Sequence, residues 1–266
     1  MSALSNVVPS SVPATEPVFV FGTNTAGNHV SDSAALAQRF HGAEPGKWTQ
    51  ACGNSYAIPF RNGEMRPMPP DVLRSYVHAF LQYAESRPDL AFHVARFGCE
   101  QEAFDDPAMA SMFRRAPKNC ALPGIWEREL RPDGAARLLV YDAAGYLKEP
   151  RWQDRLQTYL NVNAPLWGAG AVELVSVGSA RNLVGNDAAA RRLKLRHRII
   201  GPNPGWYGDY AHIAAELKAI WYSTHLLCIS DFNQTSQPNQ IRLVSAATRG
   251  GLFVDQMDAG AEDDSD

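Results

Sequence analysis

Residues 17–40 constrain the fold more than any other stretch. Val18-Phe19-Val20-Phe21 is an apolar run of strand length that breaks at Gly22, Asn24 and Gly27. Ser33-Ala34-Ala35-Leu36-Ala37-Gln38-Arg39-Phe40 then takes up helical spacing. A strand, a tight polar loop and a helix N-terminus in that order open an α/β unit. They aim backbone N–H groups and the helix dipole at one point, where an anion or a phosphate is favoured. A related arrangement recurs near Gly178 in the second half.

The rest of the chain keeps the same alternation. In the first half, strands are expected at 17–22, 54–59, 90–97 and 118–122, with helices at 31–41, 69–86 and 105–115. The second half is expected to run strand 136–141, helix 150–160, strand 172–177, helix 186–195, strand 198–200, helix 209–222, strand 226–230, helix 238–249 and strand 252–254. Such alternation predicts an α/β fold of two tandem three-layer domains, at 17–125 and 136–257. A Pro- and Gly-bearing linker is expected at 126–135, a flexible segment at 1–16 and an acidic disordered tail at 258–266.

Composition excludes several classes. With 45% apolar residues the 266-residue chain has enough material for two cores, and a net charge of −3 without a basic stripe gives no nucleic-acid footprint. Cys52, Cys99, Cys120 and Cys228 form no C-x-x-C pair, so no metal site is expected and the thiols read as reduced. Neither a signal peptide nor a membrane span is visible, and a cytoplasmic location is expected.

Site candidates gather where strands end. Gly22, Thr23 and Asn24 close the first strand, and Ala26, Gly27 and His29 form its loop. Tyr56 belongs to Ser55-Tyr56-Ala57-Ile58-Pro59, and Gly98 and Cys99 follow the third strand. Asn24 is suited to hydrogen-bond a ribose or an amide, while Gly22 and Gly27 permit close backbone approach. The alternative is a plain strand-to-helix turn with Asn in a turn conformation. Among the carboxylates, Asp32 and Glu100 are the candidates for a general base. Asp105-Asp106-Pro107 reads as a helix cap, and His29 as a surface or capping residue.

The run Val18 to His29 resembles the opening of a phage non-structural protein family, whose pattern is Phe-Gly-Ser-Asn-Leu-Ala-Gly followed by His-Gly-x-Gly-Ala-Ala. The resemblance continues through Gly53-Asn54-Ser55-Tyr56-Ala57-Ile58-Pro59, Phe92-His93-Val94-Ala95-Arg96-Phe97-Gly98-Cys99, Ala108-Met109-Ala110-Ser111-Met112-Phe113 and Asn119-Cys120-Ala121-Leu122-Pro123. The order of elements looks like a macrodomain, which implies a module that binds ADP-ribose or hydrolyses its derivatives. Two stretches depart from the pattern. Val30-Ser31-Asp32-Ser33 replaces the glycines after His29, and Glu100-Gln101-Glu102 replaces a Gly-rich stretch after Cys99. A like charge at about 4 Å in a partly dry site costs a few kcal/mol, so these acids would repel a diphosphate.

In the second half, Leu174-Val175-Ser176-Val177-Gly178-Ser179-Ala180, then Asp187 and Pro204-Gly205-Trp206-Tyr207-Gly208, are similar to the SLOG group of Rossmann-like nucleotide-binding domains. The resemblance makes Gly178, Ser179, Asp187 and Trp206 ligand-binding candidates. The group's Arg-Asn pair is missing, and its last Gly-rich loop is replaced by Phe232-Asn233-Gln234-Thr235-Ser236-Gln237-Pro238. For Trp206 the alternative is packing between elements.

Together these features imply two worn nucleotide-binding frameworks. The expected activity is binding of an ADP-ribose- or NAD-like ligand, or of a protein partner, without turnover and without a resident cofactor. The resemblance adds a role in host takeover or counter-defence. The alternatives are an ADP-ribosyl or N-glycosidic hydrolase that uses Asn24 and a nearby carboxylate, and a structural or assembly scaffold that forms a homo-oligomer.

Overall fold

The computed structural model describes residues 16–28, 31–99, 104–178, 180–231 and 238–260. The first half contains strands β1 (Val18–Asn24), β2 (Gln50–Cys52), β3 (Ser55–Arg61), β4 (Phe92–Val94) and β5 (Cys120–Ala121). Its helices are α1 (Asp32–Phe40), α2 (Pro70–Ser86), α3 (Asp106–Met112) and α4 (Gly124–Leu130). The second half contains β6 (Ala136–Tyr141), β7 (Val172–Val177), β8 (Arg196–Ile200), β9 (His225–Ser230) and β10 (Phe253–Asp258). Its helices are α5 (Pro150–Leu166), α6 (Ala180–Arg192), α7 (Pro204–Tyr207), α8 (Ala211–Tyr222) and α9 (Pro238–Arg249).

Two five-stranded sheets result, ordered β2-β3-β1-β4-β5 and β10-β9-β6-β7-β8. In the first, β2 alone runs antiparallel to its neighbour. The second is wholly parallel, and its chain runs outward from β6 to β8, returns beside β6 and runs outward again, a Rossmann-like order. The order reverses between β1 and β4 in one sheet and between β6 and β9 in the other. Open α/β sheets bind ligands at the carboxyl ends of strands at such reversals.

Strand β1 is buried along its whole length, as a Val/Phe run between two parallel neighbours must be. Val18 and Val20 join Ile58, Phe80, Val94 and Trp126 on one face of the sheet. Phe19 and Phe21 face the other way, into a cluster with Tyr207, Ala211, Ala214 and Trp221 of the second half. The two halves thus share a core. Helix α8 lies within it: Ala211 and Ala214 face the first sheet, while Ala215, Ala219 and Ile220 pack with Leu139 and Val175 of the second. The helix buries one face against each sheet, and its alanines let both sheets approach.

Several expected boundaries move. The expected linker at 126–135 begins inside α4, because the Trp126 side chain is 0% exposed and its Nε1 donates to Asp106 Oδ1 at 2.8 Å. Gly124, at the start of α4, lies against the Tyr222 carbonyl so closely that a Cβ there would overlap it. Helix α6 begins at Ala180, so Asn186 and Asp187 stand in mid-helix and cap nothing. Strand β4 ends at Val94, although Ala95 still donates to Val20 O at 2.9 Å. Strand β2 is short and mostly exposed, and had no apolar signature to betray it. Glu16, expected in the flexible segment, is buried: Asn203 donates to it at 2.8 Å and Lys218 forms an ion pair with it. Strand β10 runs to Asp258, the first residue of the expected tail, while 1–15 and 261–266 lie outside the described residues. No described helix is long and apolar enough to cross a membrane.

Candidate functional site

A cleft of about 280 Å³ opens at the carboxyl ends of β1 and β3. Gly22, Thr23 and Asn24 form its floor, Ser31 and Asp32 bring the start of α1, and Phe60, Arg61 and Met65 bring the end of β3 and the turn after it. Arg249, from the last turn of α9 in the second half, completes the lining. The parallel ladder slips here. Thr23 pairs with Pro59 and Asn24 with Arg61, so the register shifts beside the proline, which has no N–H to give. Gly22 is required by close approach, since a Cβ there would lie 2.5 Å from Phe97 Cβ.

Asn24 is only 2% exposed and spends its side chain on its own loop. Oδ1 accepts from Ala26 N at 3.0 Å and Asn28 N at 3.1 Å, while Nδ2 reaches Met65 Sδ at 3.0 Å. Thr25 N donates to Arg61 O at 3.1 Å, and Gly27 N donates to Asn24 O at 3.0 Å. All four amides from Thr25 to Asn28 are therefore satisfied within the protein. The loop has the outline of an anion cradle, but its donors are already taken. Asn24 accordingly acts as the loop's internal clasp, and the ribose- or amide-binding role expected for it has no group left to perform it.

The second half repeats this device. Asp142 follows β6 and is 0% exposed. Its Oδ1 accepts from Gly145 N and Tyr146 N, and its Oδ2 accepts from Leu147 N, each at 2.9 Å. Burial raises the carboxyl above its ordinary range, and the three amides draw it back toward ionisation. A carboxylate thus sits on the amides of the first strand-to-helix loop, where a Rossmann-like fold presents them to a phosphate. Sequence inspection missed Asp142; its signal was an Asp directly after a strand and three residues ahead of a glycine.

The remaining candidates scatter. Asp32 lines the cleft and pairs with Arg249, Oδ2 to Nη2, at 3.5 Å. Tyr56 lies in the core on the opposite sheet face, against Phe80 and Tyr83 at ring distances of 5.0 and 5.3 Å. Gly98 packs near Met109. Cys99 lines a separate groove of about 700 Å³ with Arg96, Phe104, Ile125 and Phe253. Burial, then the neighbouring Asp106, pushes the Cys99 thiol up to about 12, so it is no nucleophile near neutrality. Asn24, Tyr56 and Cys99 therefore border no common cleft. His29, Glu100 and Ser179 lie outside the described residues.

In the second half, Gly178 ends β7, and Trp206 packs into the core shared by the two halves, 5.8 Å from the His41 ring. Asp187 belongs to a small polar chain. His197 lies between Asp187 Oδ1 at 3.5 Å and Ser176 Oγ at 2.8 Å. The connectivity is that of a Ser–His–Asp relay, but Ser176 is 0% exposed and accepts from Asn186 Nδ2 at 2.8 Å, so no substrate reaches its oxygen. The chain braces β7, β8 and α6. Among the described residues no group of three or more His, Cys, Asp or Glu is placed to hold a metal ion.

No family model, curated protein or solved structure matches this chain.

Proposed function

We propose that this chain is a binding protein that holds a nucleotide-type ligand in the cleft at the end of β1 and does not turn it over. The observation that carries this reading is the cleft itself: about 280 Å³ at the carboxyl ends of two parallel strands, with an aromatic ring (Phe60) and two guanidinium groups (Arg61, Arg249) on its walls. Ligand clefts generally measure about 300–1,000 Å³, so this one takes a single moiety of a nucleotide and leaves the remainder outside. The lack of turnover rests on the lining. Asn24 is engaged by its loop, and the one carboxylate among the described lining residues, Asp32, is paired with Arg249. The resemblance of residues 17–123 to phage non-structural proteins supports sequestration of a host nucleotide signal as the setting.

Calorimetric titration of the full chain with ADP-ribose, NAD and cyclic dinucleotides tests the reading. One of them is expected to bind stoichiometrically and to come back from the protein chemically unchanged. Flat titrations for all of them, with no shift in thermal unfolding, would overturn ligand binding and leave a protein partner as the occupant. Release of free ribose, ADP-ribose or base would overturn the absence of turnover.

A further inference from the structure

We infer that the anion grip of the β1 cleft is supplied from the other half of the molecule: Arg249 takes the phosphate of the ligand, and Asp32 is the stand-in anion that the phosphate displaces. This rests on the reading that the cleft takes a nucleotide-type ligand. With the amides of Thr25 to Asn28 satisfied internally, that loop offers an anion no backbone donor, and the cationic groups at the cleft are the guanidinium side chains. Arg61 Nη1 is tied to Met65 O at 2.6 Å and shapes the turn after β3. Arg249 is placed differently. Its backbone carbonyl accepts from Arg96 Nη1 at 2.9 Å, and Arg96 is itself locked by two 2.8 Å bonds to Asp106. The end of α9 is thereby pinned to the loop after β4, and the Arg249 guanidinium is left at the cleft.

There Nη1 donates to Ser245 Oγ at 2.8 Å and Nη2 faces Asp32 at 3.5 Å. Both members of the Arg249–Asp32 pair are more than half exposed, with side-chain values of 57% and 67%. Exposed pairs at such a separation are weak. A phosphate offers the guanidinium two short charge-assisted bonds and outcompetes the single long contact. Once displaced, Asp32 carries a like charge beside the ligand, so it weakens binding even as it orders the empty site. Arg96 is the positioning residue for this grip.

The experiment compares ADP, pyrophosphate and uncharged adenosine on the full chain and on Arg249→Gln, Asp32→Asn and Arg61→Gln. ADP and pyrophosphate are expected to bind the unaltered chain, with adenosine at least about tenfold weaker. Arg249→Gln is expected to lose about tenfold in ADP affinity and to flatten its salt dependence, while Asp32→Asn gains about threefold or more. Should Arg249→Gln unfold, the gain in Asp32→Asn, an exposed position, still decides the matter. ADP binding unchanged in both variants, or lost only in Arg61→Gln, overturns the inference and leaves the cleft reading standing. No binding of either phosphate-bearing probe, to the unaltered chain or to Asp32→Asn, overturns both.

Discussion

Asn24 and Asp142 hold the same station in the two sheets, each at the close of the first strand and each folding its side chain over the amides of the loop that follows. In a nucleotide-binding α/β fold those amides are the phosphate cradle. Here an Asx side chain occupies the cradle in both halves.

Removing either clasp is expected to destabilise the protein, because the loop amides lose their acceptors, and more so at Asp142, where Gly145 and Leu147 are buried, than at Asn24, where Ala26 and Asn28 are exposed. Asp142→Ala should cost about 2–4 kcal/mol and Asn24→Ala about 1–3 kcal/mol in denaturant unfolding. Millimolar inorganic phosphate should raise the melting temperature of Asp142→Ala more than that of the unaltered chain, by occupying the freed amides. An Asp142→Ala protein as stable as the original would show that the carboxylate does not satisfy them.

Arg96 and Asp106 form a nearly buried bidentate pair that also holds Trp126 and the end of α9. Burial alone would raise the Asp106 carboxyl, yet Arg96 and Trp126 hold it below the usual carboxylate range. Arg96→Gln leaves that carboxylate uncompensated and should cost about 3–5 kcal/mol. The Arg96→Met/Asp106→Leu double variant should recover much of the loss, and a full double-mutant cycle measures the coupling.

Stability should fall on mild acidification. Burial, reinforced for His41 and His93 by Lys218, lowers His41 to about 4 and His93 to about 3, and burial with Arg128 lowers His225 to about 4. Glu16 opposes the shift at His41 and His93. In the unfolded chain each histidine takes a proton near 6.5, so between about pH 6.5 and 4 the unfolded state binds more protons and unfolding is favoured. Three such groups give a slope of up to about 4 kcal/mol per pH unit in that window, and the contribution of His93 persists toward about pH 3. Replacing His41 by Gln should reduce the slope by about one proton, measured as denaturant midpoints against pH.

The shared core predicts that the halves unfold together. Ala214 of α8 is 0% exposed against the first sheet, and Gly124 abuts the Tyr222 carbonyl. Ala214→Leu and Gly124→Ala overfill these contacts and should cost about 1–3 kcal/mol or more. Near- and far-ultraviolet circular dichroism should then give one coincident transition, shifted to lower temperature. Two separated transitions in the unaltered chain would contradict the shared core.

Most elements are legible in the sequence because their signals are local. Val172–Val177 is a Val-rich run of strand length, and α2 carries an apolar stripe of helical period after the Pro69-Pro70-Asp71 entry. The turn at the end of β1 was legible for the same reason, since a strand meeting Gly, Asn and Gly must turn. Tyr56 and Cys99 misled because a residue's place near a strand end in the sequence does not reveal which sheet face it takes. Asp187 misled because an Asn-Asp pair resembles a helix start, and the inward turn of Asn186 toward β6 and β7 settles it in mid-helix.

By itself the sequence determined the α/β alternation and the strand-to-helix loops, because chain periodicity and turn chemistry act over a few residues. Only tertiary structure decided that α8 serves both sheets, that Asn24 and Asp142 consume the loop amides, and that Arg249 enters a cleft built by the other half. Those outcomes depend on which groups meet across long loops. A hydrogen-bond donor is available or spent according to partners that no local pattern encodes.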